Sequence, residues 1–352
     1  MEIFISVLLV VVGIALIVKG GDFFVDSASW MAEVSGLPPV LIGATVVSVA
    51  TTLPELIVSI IATTRGSVEI AVGNAVGSVV ANLGLIMAIS LICMPGKVNR
   101  KEYLFKSVVL LVAVADLLLI CLGGPIVGST HTLNVWSAIV VFELFFVFVV
   151  ENVLEALKAM KNPLTPESTG ATVKMNADSD GAAVALDAEQ DGTVEVKKDK
   201  KTVLINILKF IGGAGGVVGG AELLVIYGQK LALLAGVPEG VIAVTLVAIG
   251  TSLPELVTTI SAVIKKKASI SVGNIIGANI LDMTMILPIC AMVSGGSLIV
   301  PREALILDMP FCLGLSAVGI LPMLITKKFY RWQGIALLVI YGAYIALRII
   351  LT

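Results

Sequence analysis

The heptapeptide ATTLPEL at residues 50–56 recurs as GTSLPEL at residues 250–256. The similarity extends outward in register, because residues 20–86 align with residues 220–286 without a gap and 21 of the 67 pairs are identical. Each copy places a carboxylate, Glu55 or Glu255, inside an apolar segment. Ionisable groups at membrane depth are costly and usually mark an ion or proton path. The repeat therefore predicts two related halves with an ion site where they meet.

The composition indicates an integral membrane protein, with 58% hydrophobic and only 14% charged residues among 352. A soluble domain carries about 25% charged residues. The first apolar run is expected to be a retained helix, since Glu2 precedes it and Lys19 follows it. We predict an all-α fold whose ten transmembrane segments, called spans one to ten, lie near residues 3–19, 38–64, 69–94, 104–123, 132–152, 203–226, 238–264, 269–294, 304–326 and 332–351.

The distribution of basic residues predicts the orientation of these spans. With both termini outside, 19 of the 23 Lys and Arg residues fall on the cytoplasmic side. Five spans in each half give the two repeats opposite polarity, so the repeats are predicted to be inverted. The predicted domains are a first five-helix half at 1–157, a flexible cytoplasmic linker at 158–201 and a second five-helix half at 202–352.

The linker is hydrophilic, with eight acidic and seven basic residues, and cannot bury a core. One stretch approaches an EF-hand calcium loop. Its candidate positions are Asn176, Asp178, Asp180, Gly181 and Asp187. The last of these is Asp instead of Glu, and no amphipathic helix flanks the stretch. A solvated linker is the favoured interpretation, and a regulatory Ca²⁺ site is the alternative.

A proline in each copy of the motif should free backbone oxygens. Pro54 and Pro254 have no N–H, so we expect the helix to kink or break near Ala50 and Gly250. Carbonyls, hydroxyls and a carboxylate then converge, and oxygen is what Na⁺ and Ca²⁺ require. Ca²⁺ takes about six to eight oxygen ligands, more than one repeat supplies. The two copies together offer Glu55, Glu255, Thr51, Thr251 and their carbonyls.

Spans three and eight contribute a polar face at a spacing of four residues. Asn74, Ser78 and Asn82 are matched in the second copy by Asn274, Ala278 and Asp282. We expect the mismatches at 78/278 and 82/282 to decide ion preference. Glycines at 73, 77, 273 and 277 are predicted to let neighbouring helices approach closely.

A structural interpretation of the motif competes with the functional one. Thr52-x-x-Glu55 and Ser252-x-x-Glu255 fit a capping box at the start of a helix. We expect this capping to hold alongside function. A neutral Gln would cap equally well without the cost of about 3 kcal/mol for each membrane carboxylate, so capping alone does not explain the two glutamates.

At these residues the chain resembles the calcium/cation antiporter superfamily, the Na⁺/Ca²⁺ exchangers and their bacterial relatives. Both halves match the family pattern, G-T-S-x-P-E followed by G-N-x-x-G-S-N, although the serine is Ala278 in the second half and the last asparagine is Val79 in the first. The resemblance implies ten helices in an inverted five-plus-five arrangement in a prokaryotic cytoplasmic membrane. It also implies that spans one and six slide across the kinked spans two, three, seven and eight.

The resemblance further implies a set of ion ligands. Those for Ca²⁺ would be Glu55, Glu255, Thr51 and Thr251. Those for flanking Na⁺ sites would be Thr51, Thr251, Thr52, Ser252, Ser78 and the carbonyls near Ser48 and Ala248. Asn82 and Asp282 would complete the centre of the cluster.

The expected function is antiport of Na⁺ and Ca²⁺ by alternating access, with K⁺ as a further candidate ion. A Ca²⁺/H⁺ antiporter, in which protonation of Glu55 and Glu255 replaces Na⁺, is the first alternative. A non-transporting cation sensor that signals through the linker is the second. We expect no enzymatic activity, because no span carries a nucleophile–base pair or a His-rich metal motif. Ca²⁺, Na⁺ and the bilayer are the expected partners, with no cofactor, nucleic acid or obligate protein partner.

Overall fold

The apolar runs fold as helices, because in hydrocarbon every backbone N–H and C=O must be paired within the protein. The computed structural model describes residues 2–126, 131–161, 200–234, 250 and 252–351. In this part of the chain nine helices are long and apolar enough to cross a membrane, and a tenth apolar helix is shorter. The predicted all-α membrane fold is confirmed. Most of the linker, including the EF-hand-like stretch, lies outside the described residues.

The helices in chain order are α1 (Glu2–Ser35), α2 (Pro39–Ile42), α3 (Ser48–Thr64), α4 (Val68–Ala81), α5 (Ala88–Cys93), α6 (Arg100–Ile126), α7 (Val135–Lys161), α8 (Lys200–Leu234), α9 (Leu253–Ile264), α10 (Ala268–Leu281), α11 (Leu287–Val293), α12 (Met309–Thr326) and α13 (Arg331–Leu351). Single π-helical turns occupy Gly43–Val47, Asn82–Met87, Asp282–Ile286 and Ala304–Asp308. Short strands are β1 (Gly96–Lys97), β2 (Thr132–Asn134), β3 (Ser297–Ile299) and β4 (Lys328–Phe329).

Two antiparallel ribbons connect loops of the two halves. β1 pairs with β4, so Lys97 lies opposite Lys328. β2 pairs with β3, so Leu133 lies opposite Leu298. The first ribbon joins two loops predicted to be cytoplasmic and the second joins two predicted to be external, as the count of spans requires. The ribbons are a small addition to the predicted purely helical fold.

α1 and α8 pack backbone to backbone through glycines. A Cβ on Gly213 would lie 2.8 Å from the carbonyl oxygen of Gly20 and 2.7 Å from the amide nitrogen of Phe24. Farther along the pair, a Cβ on Gly220 would lie 2.6 Å from the carbonyl oxygen of Gly13. The glycine-rich face of span six is therefore used for close packing against span one.

α1 is longer than the predicted span one, and its second half makes ion pairs and a hydrogen bond with residues at the end of α9. Lys265 Nζ lies 2.8 Å from Asp26 Oδ1 and 3.4 Å from Asp22 Oδ1. Ser261 Oγ also donates to Asp22 Oδ1, at 3.2 Å. Asp22 matches Glu222 across the repeat, but Glu222 is exposed. The contact is thus specific to one copy.

α10 crosses span two at very short range. A Cβ on Gly273 would lie 2.6 Å from the carbonyl oxygen of Val40, and one on Gly277 would lie 2.5 Å from that of Ala44. Close approach is confirmed for these two glycines. The residues that match Val40 and Ala44 in the second copy, 240 and 244, lie outside the described ranges, so the role of glycines 73 and 77 stays a prediction.

Candidate functional site

Three carboxylates are buried where the two repeats meet. Glu55 on α3, Glu255 on α9 and Asp282 at the end of α10 are each 1% exposed. The ionic neighbours of Glu55 are Glu255 and Asp282, and no basic side chain of the described residues pairs with any of the three. A buried charge is strongly unfavourable unless a counter-charge accompanies it. Either a bound cation or protons must therefore neutralise these carboxylates.

Most of the oxygens around these carboxylates lack hydrogen-bond partners. Buried polar groups in folded proteins are normally paired, so unpaired acceptors are typical of sites that bind an ion or water. The unpartnered buried oxygens of the predicted ligands are Thr52 Oγ1, both Oε of Glu55, Asn82 Oδ1, Glu255 Oε2 and both Oδ of Asp282. They are acceptors that a cation can bind, supplied by both repeats.

The capping-box interpretation is wrong for both copies. Thr52 lies inside α3, which continues through Pro54 and does not end there. Ser252 does precede the first residue of α9, but it makes no side-chain cap. Its Oγ instead donates to Ser78 Oγ at 3.2 Å, which joins the two repeats. In the second copy α9 begins at Leu253, close to the break predicted near Gly250. In the first copy the break predicted near Ala50 is wrong, because α3 runs through it and the irregular turn lies earlier, at Gly43–Val47.

Amide side chains hold the two carboxylate helices in place. Asn74 Nδ2 donates to the backbone oxygen of Glu55 at 3.1 Å and to Ser59 Oγ at 2.9 Å. Asn274 Nδ2 donates to Thr258 Oγ1 at 3.2 Å, and Thr258 donates to the backbone oxygen of Glu255 at 3.0 Å. The repeated asparagines were visible in the sequence. Their hydroxyl partners, Ser59 and Thr258, were not predicted, because they do not occupy matching positions in the two copies.

The predicted hydroxyl ligands are only partly described. Thr51 and Ser48 are buried, and the single hydroxyl hydrogen of Thr51 is shared between Asn274 Oδ1 at 3.2 Å and the Ser48 carbonyl oxygen at 3.3 Å. The structure thus brings both residues to the interface between the repeats. Thr251 and Ala248 lie outside the described residues, and their proposed roles stay predictions.

A π-helical turn begins at Asn82 and another at its repeat mate Asp282. Such turns are rare and often occur at functional sites. Asn82 Nδ2 donates to Asn279 Oδ1 at 3.0 Å, again across the repeats. Asn279 is completely buried and was not predicted as a site residue.

Other acidic residues lie outside this cluster. Asp308 Oδ1 accepts from Tyr344 Oη at 3.1 Å and lies 3.6 Å from Arg348 Nη1, which makes it an inter-helix contact. Glu143 is exposed on α7. Within the described ranges, no three His, Cys, Asp or Glu side chains have metal-binding geometry by themselves. A cation here would need hydroxyl, amide or carbonyl oxygens as well.

The family model described as "Sodium/calcium exchanger protein" matches residues 5–153 and 205–350. The chain is similar to sodium/calcium exchanger MaX1 of Methanosarcina acetivorans, with 31% identity over 97% of both chains. It is also similar to the inner membrane protein YrbG of Escherichia coli, with 30% identity over 82% of this chain and 80% of the relative.

A solved structure has the same architecture. The sodium-calcium exchanger NCX_Mj, soaked with 10 mM Na⁺ and no Ca²⁺, matches with a TM-score of 0.76 and 27% identity. The match covers 98% of this chain and 99% of the other. The likeness therefore includes both halves and the interface between them.

Proposed function

The chain belongs to the sodium/calcium exchanger family, and we propose that it exchanges Na⁺ for Ca²⁺ across the membrane at the site between its two repeats. The observation that carries the proposal is the buried pair Glu55 and Glu255, which has no basic partner among the described residues. Its two negative charges match one Ca²⁺. Asp282 adds a third carboxyl group at the same interface.

Coupling follows from competition for the same oxygens. Ca²⁺ and Na⁺ both bind hard oxygen ligands, so occupancy by one excludes the other. An empty site leaves mutually repelling carboxylates in a medium of low dielectric constant. The carrier therefore changes access readily only when it is loaded. In the proposed cycle α1 and α8 move together across the site, which alternates access between the two faces.

A flux measurement in proteoliposomes tests this function. With Na⁺ loaded inside and none outside, we expect Ca²⁺ uptake that stops when the Na⁺ gradient is removed. Uptake that ignores Na⁺ and follows an imposed pH gradient would establish the Ca²⁺/H⁺ alternative. Repeating the assay with and without K⁺ determines whether K⁺ is also transported. Deletion of residues 162–199 should leave exchange intact, whereas a sensor that signals through the linker would lose its output.

Ala278→Ser is expected to strengthen the response to Na⁺. Ser252 pairs with Ser78, but the repeat mate of Ser78 is Ala278, and the mate of Ser252, Thr52, has a buried hydroxyl without a partner. By the symmetry of the repeats, which places Ser78 beside Ser252, a serine at 278 would add one oxygen near Thr52. We expect the half-saturating Na⁺ concentration for Ca²⁺ efflux to fall about threefold, the effect of one polar contact.

Ser78→Ala is the matched control and should change the Na⁺ dependence in the opposite direction. An unchanged response in Ala278→Ser would mean that other oxygens already complete the flanking site on that side.

A further inference from the structure

Asn82 and Asn279 form a buried amide pair that links the two repeats. Asn82 Nδ2 donates to Asn279 Oδ1 at 3.0 Å, and the two side chains are 1% and 0% exposed. Asn82 Oδ1 is buried without a partner. Asn279 Nδ2 is also buried without a partner, so the bond between the two residues is the side-chain hydrogen bond that orients both amides in the described structure. It occupies the nitrogen of Asn82 and leaves its oxygen available.

The orientation of an amide decides what it offers an ion. An asparagine presents either an acceptor oxygen or a donor NH₂ group, which are nearly equal in size. A cation binds the oxygen and is repelled by the positive edge of the NH₂ group. Unless another group fixes it, a buried amide beside carboxylates would turn its NH₂ toward them. Such an orientation would favour the empty site over the loaded one.

The repeat shows that an orienting partner occurs only where one is needed. The residue matching Asn82 in the second copy is Asp282, whose two carboxylate oxygens are equivalent and require no orientation. The residue matching Asn279 in the first copy is Val79, which accepts no hydrogen bond. The amide side chain, Asn82, thus has an asparagine as its counterpart in the other repeat, whereas the carboxylate side chain, Asp282, has a valine.

We propose that Asn279 is a positioning residue that holds the amide oxygen of Asn82 toward the transported cation. The inference rests on the proposed function, because it assumes that this site binds the ions. Asn279 acts through Asn82 and is not itself a ligand.

The test is a cycle of variants assayed by equilibrium Ca²⁺ binding in detergent and by flux. Asn279→Val, which copies the residue at 79, should weaken Ca²⁺ binding about 10-fold, as loss of an orienting partner does at metal sites. Maximal flux at saturating Ca²⁺ should stay within about twofold, since the ligands remain. Val79→Asn is the reciprocal control and should leave binding unchanged, because Asp282 needs no orientation.

The decisive comparison repeats Asn279→Val in an Asn82→Asp background, which reproduces the Asp282–Val79 arrangement. There the valine should weaken Ca²⁺ binding less than about twofold, since a carboxylate needs no orienting partner. Equal losses in the two backgrounds, or no loss with Asn82 present, would overturn the proposal. If Asn279→Val does not fold, Asn279→Leu provides the apolar arm of the cycle.

Asn279→Asp keeps an acceptor oxygen at the same place and should bind Ca²⁺ no more weakly than the unaltered protein. A loss as large as that of the valine variant would contradict the proposal. Since binding is measured without an Na⁺ gradient, the inference can fail while Na⁺-driven exchange by the unaltered protein succeeds. Conversely, Na⁺-driven exchange can fail while Ca²⁺ binding still depends on Asn279 as proposed.

Discussion

Glu55→Gln and Glu255→Gln are each expected to abolish Ca²⁺ movement. Both carboxylates are buried, and each is a proposed charge partner of Ca²⁺. Truncating one partner of a buried charge pair weakens binding by about 2–5 kcal/mol, so transport should fall about 100-fold or more. Ca²⁺ uptake under an Na⁺ gradient measures the loss. The amide keeps the size of the side chain, and the cap that the motif suggested is absent, so folding does not depend on the charge.

Thermal unfolding separates loss of a ligand from loss of structure. Ca²⁺ should raise the unfolding temperature of the unaltered protein, because a ligand that binds only the native state stabilises it. In the two Gln variants that rise should disappear, while stability without Ca²⁺ is retained. Glu143→Gln makes the same change at an exposed position on α7 and should keep both transport and the Ca²⁺-dependent rise. Near-normal transport in either site variant would show that the carboxylate is not a ligand.

Gly213→Ala is expected to separate α1 from α8 and to stop transport. The added Cβ would lie 2.7–2.8 Å from backbone atoms of Phe24 and Gly20, which cannot rotate away as a side chain can. Overpacking of this kind costs about 1–3 kcal/mol. The unfolding temperature and the Na⁺-driven Ca²⁺ flux should both decrease.

The neighbouring Gly212 supplies the control. A Cβ there meets no described atom within 4 Å, and alanine favours a helix over glycine by about 1 kcal/mol, so Gly212→Ala should be neutral or slightly stabilising. Equal behaviour of the two variants would mean that α1 and α8 tolerate separation and that their glycines are not needed for packing.

The polar residues at the interface were predictable because the repeat displays them twice. Glu55, Glu255, Asn82 and Asp282 stand out as polar residues in apolar segments, and the structure brings them to one interface. The pairing of Asn82 with Asn279 could not be foreseen, because it joins residues almost two hundred positions apart and Asn279 has no polar mate in the first copy.

Local signals failed where tertiary contacts decide the outcome. Hydropathy ended span one near residue 19, whereas α1 continues to Ser35. Beyond residue 19, Asp22 contacts Lys265 and Ser261, and Phe24 and Ala28 lie in a buried apolar cluster. The Thr52-x-x-Glu55 pattern suggested a helix start, but α3 begins earlier and runs through it. A short motif describes its own neighbours in sequence and not the helices that surround it.

The glycine contact between α1 and α8 has a mechanical consequence. α1 comes from the first half and α8 from the second. Because their backbones are in contact, the two helices form one packed unit shared by both halves. If the two helices move together as in the proposed cycle, a displacement that uncovers the site toward one compartment would cover it from the other. A passage open at both ends would require the glycines to part. The glycine contact between α1 and α8 would thus prevent an ion leak that dissipates the gradient on which transport depends.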